Sequence, residues 1–157
     1  IKVTPFTVCD LGEIVDKVAA LSRKEAADRG VEITIKKAPC PPVEAAPKLL
    51  QQLLWNLMTN ALAALSGGGE ITLELMPAGG NWVQLICRDT GTGIPPAVLP
   101  QIFRPYFTTK EDGTGLGLPI SQRIAEFHGG CLEVDSKLGF GTTFTLGLPF
   151  RQDTREQ

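Results

Sequence analysis

The chain has 157 residues, of which 43% are hydrophobic, enough to bury one core. Fifteen basic and seventeen acidic residues give a net charge of -2, which argues against nucleic acid or a membrane surface as a partner. No apolar run approaches the roughly 20 residues that cross a bilayer. We therefore expect one α/β domain in the cytoplasm, covering residues 1–157 with its core at about 5–150.

Cysteine usage and the first residue bear on the cellular setting. Cys9, Cys40, Cys87 and Cys131 are far apart and form no C-x-x-C pair. Three of them lie in apolar stretches, so we expect reduced core thiols. The chain begins at Ile1 rather than Met, which suggests a fragment of a longer protein.

The first half of the chain predicts two helices separated by a strand. Asp10 begins a capping pattern, and a helix should run to about Arg29, where Gly30 ends it. Its periodic apolar residues are Leu11, Ile14, Val15, Val18 and Leu21. Residues 31–37 alternate as a half-buried strand, and prolines then break regular structure. Pro47 suits the start of a second helix, which we expect the glycines at 67–69 to end. The apolar face of this helix is Leu50, Leu53, Leu54, Leu57 and Ala61.

The second half predicts two hairpins around a long loop and a third helix. Strands at 71–76 and 82–89 are joined by the turn 79–81. The composition of residues 91–117 predicts a long functional loop with one short helix near 97–102. A third helix at about 118–128 should point Ile120, Ile124 and Phe127 inward. Strands at 131–136 and 142–148 close the chain. A mixed sheet covered on one face by three helices fits this order.

Asn56 and Asn60 lie four residues apart on the predicted second helix, so both amides project from one side of it. An amide oxygen is a hard ligand that suits Mg²⁺. Two asparagines that cap or bond locally explain the pair, taken alone, at least as well. Asn is a poor helix-interior residue, however, which favours a specific role.

Two glycine-rich segments flank the long loop. Asp89 ends a strand and precedes Gly91 and Gly93, so its carboxylate can accept from an exocyclic amine while the backbone approaches a flat ring. A strand-ending Asx turn is the alternative. The run Gly-Thr-Gly-Leu-Gly-Leu at 113–118 leads into the third helix, where free N–H groups attract anions. A flexible connection is the alternative there, and the run is neither a P-loop nor a dinucleotide fingerprint.

Taken in order, these segments resemble the nucleotide-binding domain shared by histidine kinases, gyrase-type topoisomerases, mismatch-repair ATPases and heat-shock chaperone ATPases. Residues 56–61 resemble the family's N box, 89–94 its G1 box and 113–118 its G2 box. Residues 102–110 resemble the F box of histidine kinases, and 139–144 the closing glycine-threonine turn. The resemblance spans nearly the whole chain and implies a two-layer α+β sandwich with three helices and a mixed, mostly antiparallel five-stranded sheet.

The resemblance also implies a site for Mg-ATP. Asn60 would bind Mg²⁺, Asn56 would lie beside the phosphates, and Asp89 would accept from the adenine amine. Lys110 and Arg104 would balance phosphate charge, because no basic residue follows Asn60 closely. The other expected nucleotide contacts are Gly91, Gly93, Ile94, Thr108, Thr109, Gly113, Thr114, Gly115, Leu116, Gly117, Leu118 and Thr142.

The implied function is that of the catalytic domain of a sensor histidine kinase, which transfers the γ-phosphate of ATP to a histidine outside this chain. Hydrolysing members of the superfamily usually carry a general-base glutamate where this chain has Asn56. A hydrolysing ATPase is therefore the second hypothesis, and a non-catalytic ATP-binding regulatory module the third. The single histidine, His128, lacks an acidic neighbour and reads as structural, with the helix dipole favouring its charged form.

The implied partners are the histidine-bearing dimerisation domain of the parent kinase and a response regulator. The isolated domain is expected to be a monomer, and it would serve equally as the cytoplasmic part of a membrane-bound sensor. Only Glu111 and Asp112 separate Lys110 from Gly113. This short lid most resembles kinases of the nitrogen-regulation type.

Overall fold

The structure, a computed structural model, describes residues 5–105, 107 and 117–151. Apolar side chains of the helices and the sheet form one continuous cluster in this part of the chain. None of the described helices has both the length and the apolar composition needed to cross a membrane.

Two sheets and three helices build the described fold. The elements are β1 (Thr7–Cys9), α1 (Leu11–Asp28), β2 (Val31–Lys37), β3 (Val43–Ala45), α2 (Pro47–Ala63), β4 (Gly69–Ala78), β5 (Trp82–Asp89), a 3-10 helix (Leu99–Gln101), α3 (Gly117–Phe127), β6 (Cys131–Lys137) and β7 (Gly141–Pro149). The main sheet has the order β2-β4-β5-β7-β6, and only β2 and β4 pair in parallel among its described strands. The predicted α+β sandwich with a mixed, mostly antiparallel five-stranded sheet and three helices is confirmed.

Alternation along the strands decides which face of the sheet is covered. On β4, Ile71, Leu73 and Leu75 are buried, whereas the residues between them are partly exposed. Successive side chains of a strand point to opposite faces, so one face carries the core and the other faces solvent. The buried stripe of α2, with Leu53, Leu54 and Leu57, packs against the covered face.

Helix α1 begins and ends as its sequence predicts. The Asp10 side chain accepts a hydrogen bond from the Gly12 N–H at 2.8 Å, and Gly30 turns the chain with φ 72°. Leu21 differs from its expected place, since it is 58% exposed. The buried stripe passes through Val18 and Ser22 instead, and Leu21 lies on its flank.

Several predicted boundaries were wrong. Helix α2 ends at Ala63, before the glycines expected to end it, because Leu65 turns into the core. Gly69 already belongs to β4 and pairs with Val31. The small β1–β3 sheet was not predicted, because three-residue strands carry too little alternation to recognise.

The four cysteines are free thiols, but only Cys87 is a core residue. Burial raises the pKa of Cys87 to about 12, so this thiol stays protonated. Cys9 and Cys40 are partly exposed, and Cys131 is exposed. Cys131 opens strand β6 next to the inward-facing Leu132, which directs the thiol to the solvent face.

Helix α3 buries Ile124 as predicted, but its buried face is centred differently from the predicted one. Ser121, Ile124, Ala125 and His128 are buried, while Phe127 is 36% exposed and contacts Phe6 in a tilted arrangement, with ring centroids 5.3 Å apart. The inward face follows the four-residue spacing from Ser121 to His128, which places Phe127 at its edge.

His128 ties the end of α3 to the start of α2. Its Nδ1 lies 2.7 Å from the Ile124 carbonyl, and its Nε2 accepts the Ala46 N–H at 3.0 Å. Ala46 is the N-cap residue of α2 and makes no side-chain cap, so the ring satisfies a helix-terminal donor. A ring that accepts at Nε2 is neutral, which corrects the expectation of a charged ring favoured by the helix dipole.

Replacing His128 with Asn should lower the free energy of unfolding by about 1–3 kcal/mol, because the shorter amide cannot reach the buried Ala46 N–H. His128→Gln, whose amide extends as far as Nε2, should lose less. Urea denaturation of both variants measures the difference. Equal losses in the two variants would mean that the bond to Ala46 contributes nothing specific.

Candidate functional site

The predicted site residues that the structure describes fall into two groups around the C-terminal half of α2. One group surrounds Asp89 at the end of β5, and the other lies where Asn56 meets the start of α3. Gly91 packs against Ala64, the residue that follows α2, and thereby joins the two groups. The end of β5 therefore lies next to the end of α2, the helix that carries Asn56 and Asn60.

Asp89 is a buried carboxylate held by backbone donors. It is 6% exposed and pairs across the sheet with Thr142. Its Oδ1 accepts the Gly91 N–H at 2.8 Å. Burial raises the pKa of this carboxyl, although hydrogen bonds from the backbone of Gly91 and Thr142 act in the opposite direction. An acid held this way can accept a further hydrogen bond from a ligand amine.

Gly91 and Gly93 are required by the protein's own packing. A Cβ at Gly91 would lie 2.5 Å from the Ala64 carbonyl oxygen and 2.9 Å from Asp89 Oδ1. Gly93 has φ +77°, and a Cβ there would lie 2.2 Å from the Lys137 carbonyl oxygen. The sequence predicts these glycines because the backbone would approach a flat ring of the ligand. The structure shows that they are also needed where the backbone approaches the end of α2 and the β6–β7 turn.

Ser136 connects the loop after β5 to β7, and its role was not predicted. Its Oγ accepts the Ile94 N–H at 2.8 Å and lies 2.8 Å from Thr142 Oγ1. The Gly139 N–H also donates to the Thr92 carbonyl at 2.7 Å. Ile94 and Thr142, both predicted site residues, are therefore held together through a third side chain.

Asn56 is bound to the beginning of α3. Its Nδ2 donates to the Gly117 carbonyl and to Ser121 Oγ, each at 3.1 Å. Ser121 Oγ also donates to the Gly117 carbonyl at 2.8 Å. This arrangement brings the predicted pair Asn56 and Gly117 together. Ser121 was missed, since a serine inside a helix carries no recognisable signal in the sequence.

The remaining predicted residues are placed as follows. Asn60 is half-buried one helical turn after Asn56, and Leu118 is half-buried and packs against the core. Arg104 is exposed in the turn after Leu99–Gln101. Seven predicted residues lie outside the described part of the chain, namely Thr108, Thr109, Lys110, Gly113, Thr114, Gly115 and Leu116.

The chemistry of the described side chains can be compared with what Mg²⁺ requires. The part of the chain that the structure describes contains no group of three or more His, Cys, Asp or Glu residues able to hold a metal ion. The amide oxygens of Asn56 and Asn60 are the metal ligands that the sequence predicts. Mg²⁺ is commonly bound through few protein oxygens and completes its shell with waters and phosphate oxygens.

Comparison with known proteins agrees with this geometry. The model of the family described as histidine kinase-, DNA gyrase B-, and HSP90-like ATPase matches residues 45–152. The chain belongs to this family, and its fold is that of a histidine kinase catalytic domain. The catalytic domain of histidine kinase ThkA superposes with a TM-score of 0.85 at 28% identity, over 94% of this chain and 99% of that one.

Among individual proteins, the chain is similar to sensor histidine kinases. It is 37% identical to ZraS of Klebsiella oxytoca over 149 residues, which are 94% of this chain and 32% of that protein. It is 43% identical to AtoS of Escherichia coli over 108 residues, which are 69% and 18% of the two chains. Full-length ShkA in complex with AMPPNP superposes with a TM-score of 0.86 at 31% identity, over 96% of this chain and 32% of that one. The chain thus spans about a third of the length of ZraS.

Replacing Gly91 with Ala should destabilise the protein by about 1–3 kcal/mol, because the new Cβ collides with backbone and with Asp89. Gly79→Ala is the matched control, since a Cβ there meets nothing within 4 Å. Thermal denaturation without nucleotide reports the difference. A Gly91→Ala protein as stable as Gly79→Ala would show that α2 and the loop after β5 do not pack as described.

Proposed function

We propose that this chain binds Mg-ATP and transfers its γ-phosphate to a histidine on a separate dimerisation domain in two-component signalling. The carrying observation is that a buried acceptor, Asp89, lies near the end of α2, the helix that carries the amides of Asn56 and Asn60, in a fold of the histidine kinase type. Similarity to ZraS and AtoS, and to ShkA bound to the ATP analogue AMPPNP, supports the proposal.

In this proposal Asp89 accepts the exocyclic amine of adenine. The carboxylate lies at the end of β5, and its backbone donors keep it oriented. Guanine presents a carbonyl where adenine presents an amine, so a lone carboxylate favours ATP over GTP. Gly91, Gly93, Ile94 and Thr142 line this end of the site.

The phosphates lie toward the start of α3 in the same proposal. Asn60 holds Mg²⁺, which would supply charge neutralisation to the phosphates. Gly117, Leu118 and the predicted contacts at 108–110 and 113–116 complete the phosphate end. Lys110 and Arg104 balance the charge that develops during transfer.

Asn56 favours a phosphotransferase over a hydrolysing ATPase. A general base must accept a proton, and an amide does not do so at useful pH. The Asn56 side chain donates from Nδ2 to the Gly117 carbonyl oxygen. A carboxylate at the same place would put an acceptor against that carbonyl. The nucleophile and its base then come from another domain. A non-catalytic binding module is the remaining alternative.

The proposal includes partners and a location. The acceptor is a histidine on the dimerisation domain of the parent kinase, and a response regulator receives the phosphoryl group next. The chain acts in the cytoplasm, either alone or as the cytoplasmic part of a membrane-bound sensor. Its assignment to the nitrogen-regulation type stays a prediction from the short lid sequence.

ATP affinity should fall on acidification, and the fall should begin above the pH at which an ordinary aspartate titrates, about 3.9. The reason is the raised pKa of Asp89, because protonation removes the negative acceptor. Asp89→Asn should lose roughly tenfold or more in affinity, lose the preference for ATP over GTP, and show a flatter pH dependence. Calorimetry from pH 7 to about pH 4.5 measures this. Parallel pH profiles for the two proteins would remove Asp89 from the adenine site.

Phosphotransfer tests the function itself. Incubated alone with Mg-ATP, the chain should bind nucleotide, release phosphate slowly and acquire no stable label. When the dimerisation domain of its parent kinase is added, that domain's histidine should acquire an acid-labile, alkali-stable phosphoryl label. Brisk hydrolysis by the chain alone would favour the ATPase instead. Nucleotide binding without transfer to the parent's histidine would favour the regulatory module.

A further inference from the structure

Ser121 is a buried hydroxyl between α2 and α3 that the proposed chemistry does not use. It is 0% exposed and lies one turn after Gly117. Its Oγ donates to the Gly117 carbonyl at 2.8 Å and accepts from Asn56 Nδ2 at 3.1 Å. A hydroxyl has one donor and two acceptor positions, so it can do both at once.

These contacts determine which way the Asn56 amide faces. An amide nitrogen is a donor only, and here it faces two acceptors, Gly117 O and Ser121 Oγ. A reversed amide would direct Oδ1 at the Gly117 carbonyl, and two acceptors would then face each other. The orientation with Nδ2 toward α3 is therefore the favoured one, and Oδ1 points away from α3.

We propose that Ser121 is a positioning residue that makes Asn56 present its oxygen, not its nitrogen, to the nucleotide site. An oxygen is the wrong group for a phosphate, which needs donors, and the right group for a hard cation or its bound water. Asn56 then serves the metal side of the site together with Asn60, one turn away. This inference rests on the proposed binding of Mg-ATP.

The Gly117 carbonyl has a second donor besides the Ser121 hydroxyl. That carbonyl also accepts from Asn56 Nδ2, at 3.1 Å. We therefore assign the role of the hydroxyl to its contact with Asn56. Loss of the hydroxyl removes one of the two acceptors that Asn56 Nδ2 faces, which weakens the preference between the two amide orientations. Loss of the hydroxyl should therefore lower ATP affinity when Mg²⁺ is present and leave it unchanged when Mg²⁺ is absent.

The experiment measures ATP affinity by calorimetry with Mg²⁺ and with a chelator. Ser121→Ala should weaken binding roughly three- to tenfold with Mg²⁺ and leave the affinity with chelator unchanged. Ser121→Thr keeps the hydroxyl and should restore the Mg-dependent affinity even if the extra methyl group lowers the melting temperature. In an Asn56→Ala background, Ser121→Ala should have no further effect on binding.

Ser22→Ala is the matched control. Ser22 is also buried in a helix, and its Oγ donates to the carbonyl of Val18 four residues earlier, at 2.9 Å. Equal weakening with and without Mg²⁺ in Ser121→Ala, or the same change in Ser22→Ala, would reduce Ser121 to a structural residue and overturn the inference. Unchanged affinity in both conditions would overturn it as well. A wild-type chain that does not bind Mg-ATP would instead refute the proposed function.

Discussion

The packing of α2 against α3 is the constraint on which the rest of the site depends. At one end of this contact His128 accepts the Ala46 N–H, and at the other Asn56 donates to Gly117 and Ser121. Between the two ends the helices bury side chains such as Leu54 and Ile124 in the common core. The two polar ends allow little sliding, because each buried group would lose its partner if the helices shifted.

The adenine end of the proposed site depends on a second contact, between the loop after β5 and the β6–β7 turn. Ser136, the Gly139 N–H and the tight approach at Gly93 hold this loop from one side. Gly91 holds it against Ala64 from the other. Backbone hydrogen bonds also orient the Asp89 carboxylate, and in the proposed site this preorganisation would reduce the entropy cost of binding a base.

Long elements and local signals could be predicted because their causes lie within a few residues. The Asp10 cap, the Gly30 turn and the alternation of β2 act locally, and each occurs where expected. The order of the motifs was sufficient to recognise the family, because several glycine and asparagine residues must occur in the right order and at the right spacing. The outward positions of Leu21, Phe127 and Cys131 could not be predicted in the same way, because periodicity does not say where a buried face is centred.

The sequence by itself determined the class of protein, the helices and most strands, and it supplied the candidate groups of the proposed site: Asn56, Asn60, Asp89 and the glycines. The tertiary structure decided how those groups are held, including the neutral ring of His128, the amide orientation of Asn56 and the bridge through Ser136. The physical reason is distance along the chain. A hydrogen bond between residues 65 or 82 positions apart leaves no local pattern, whereas a cap, a turn or an alternating strand is specified by adjacent residues.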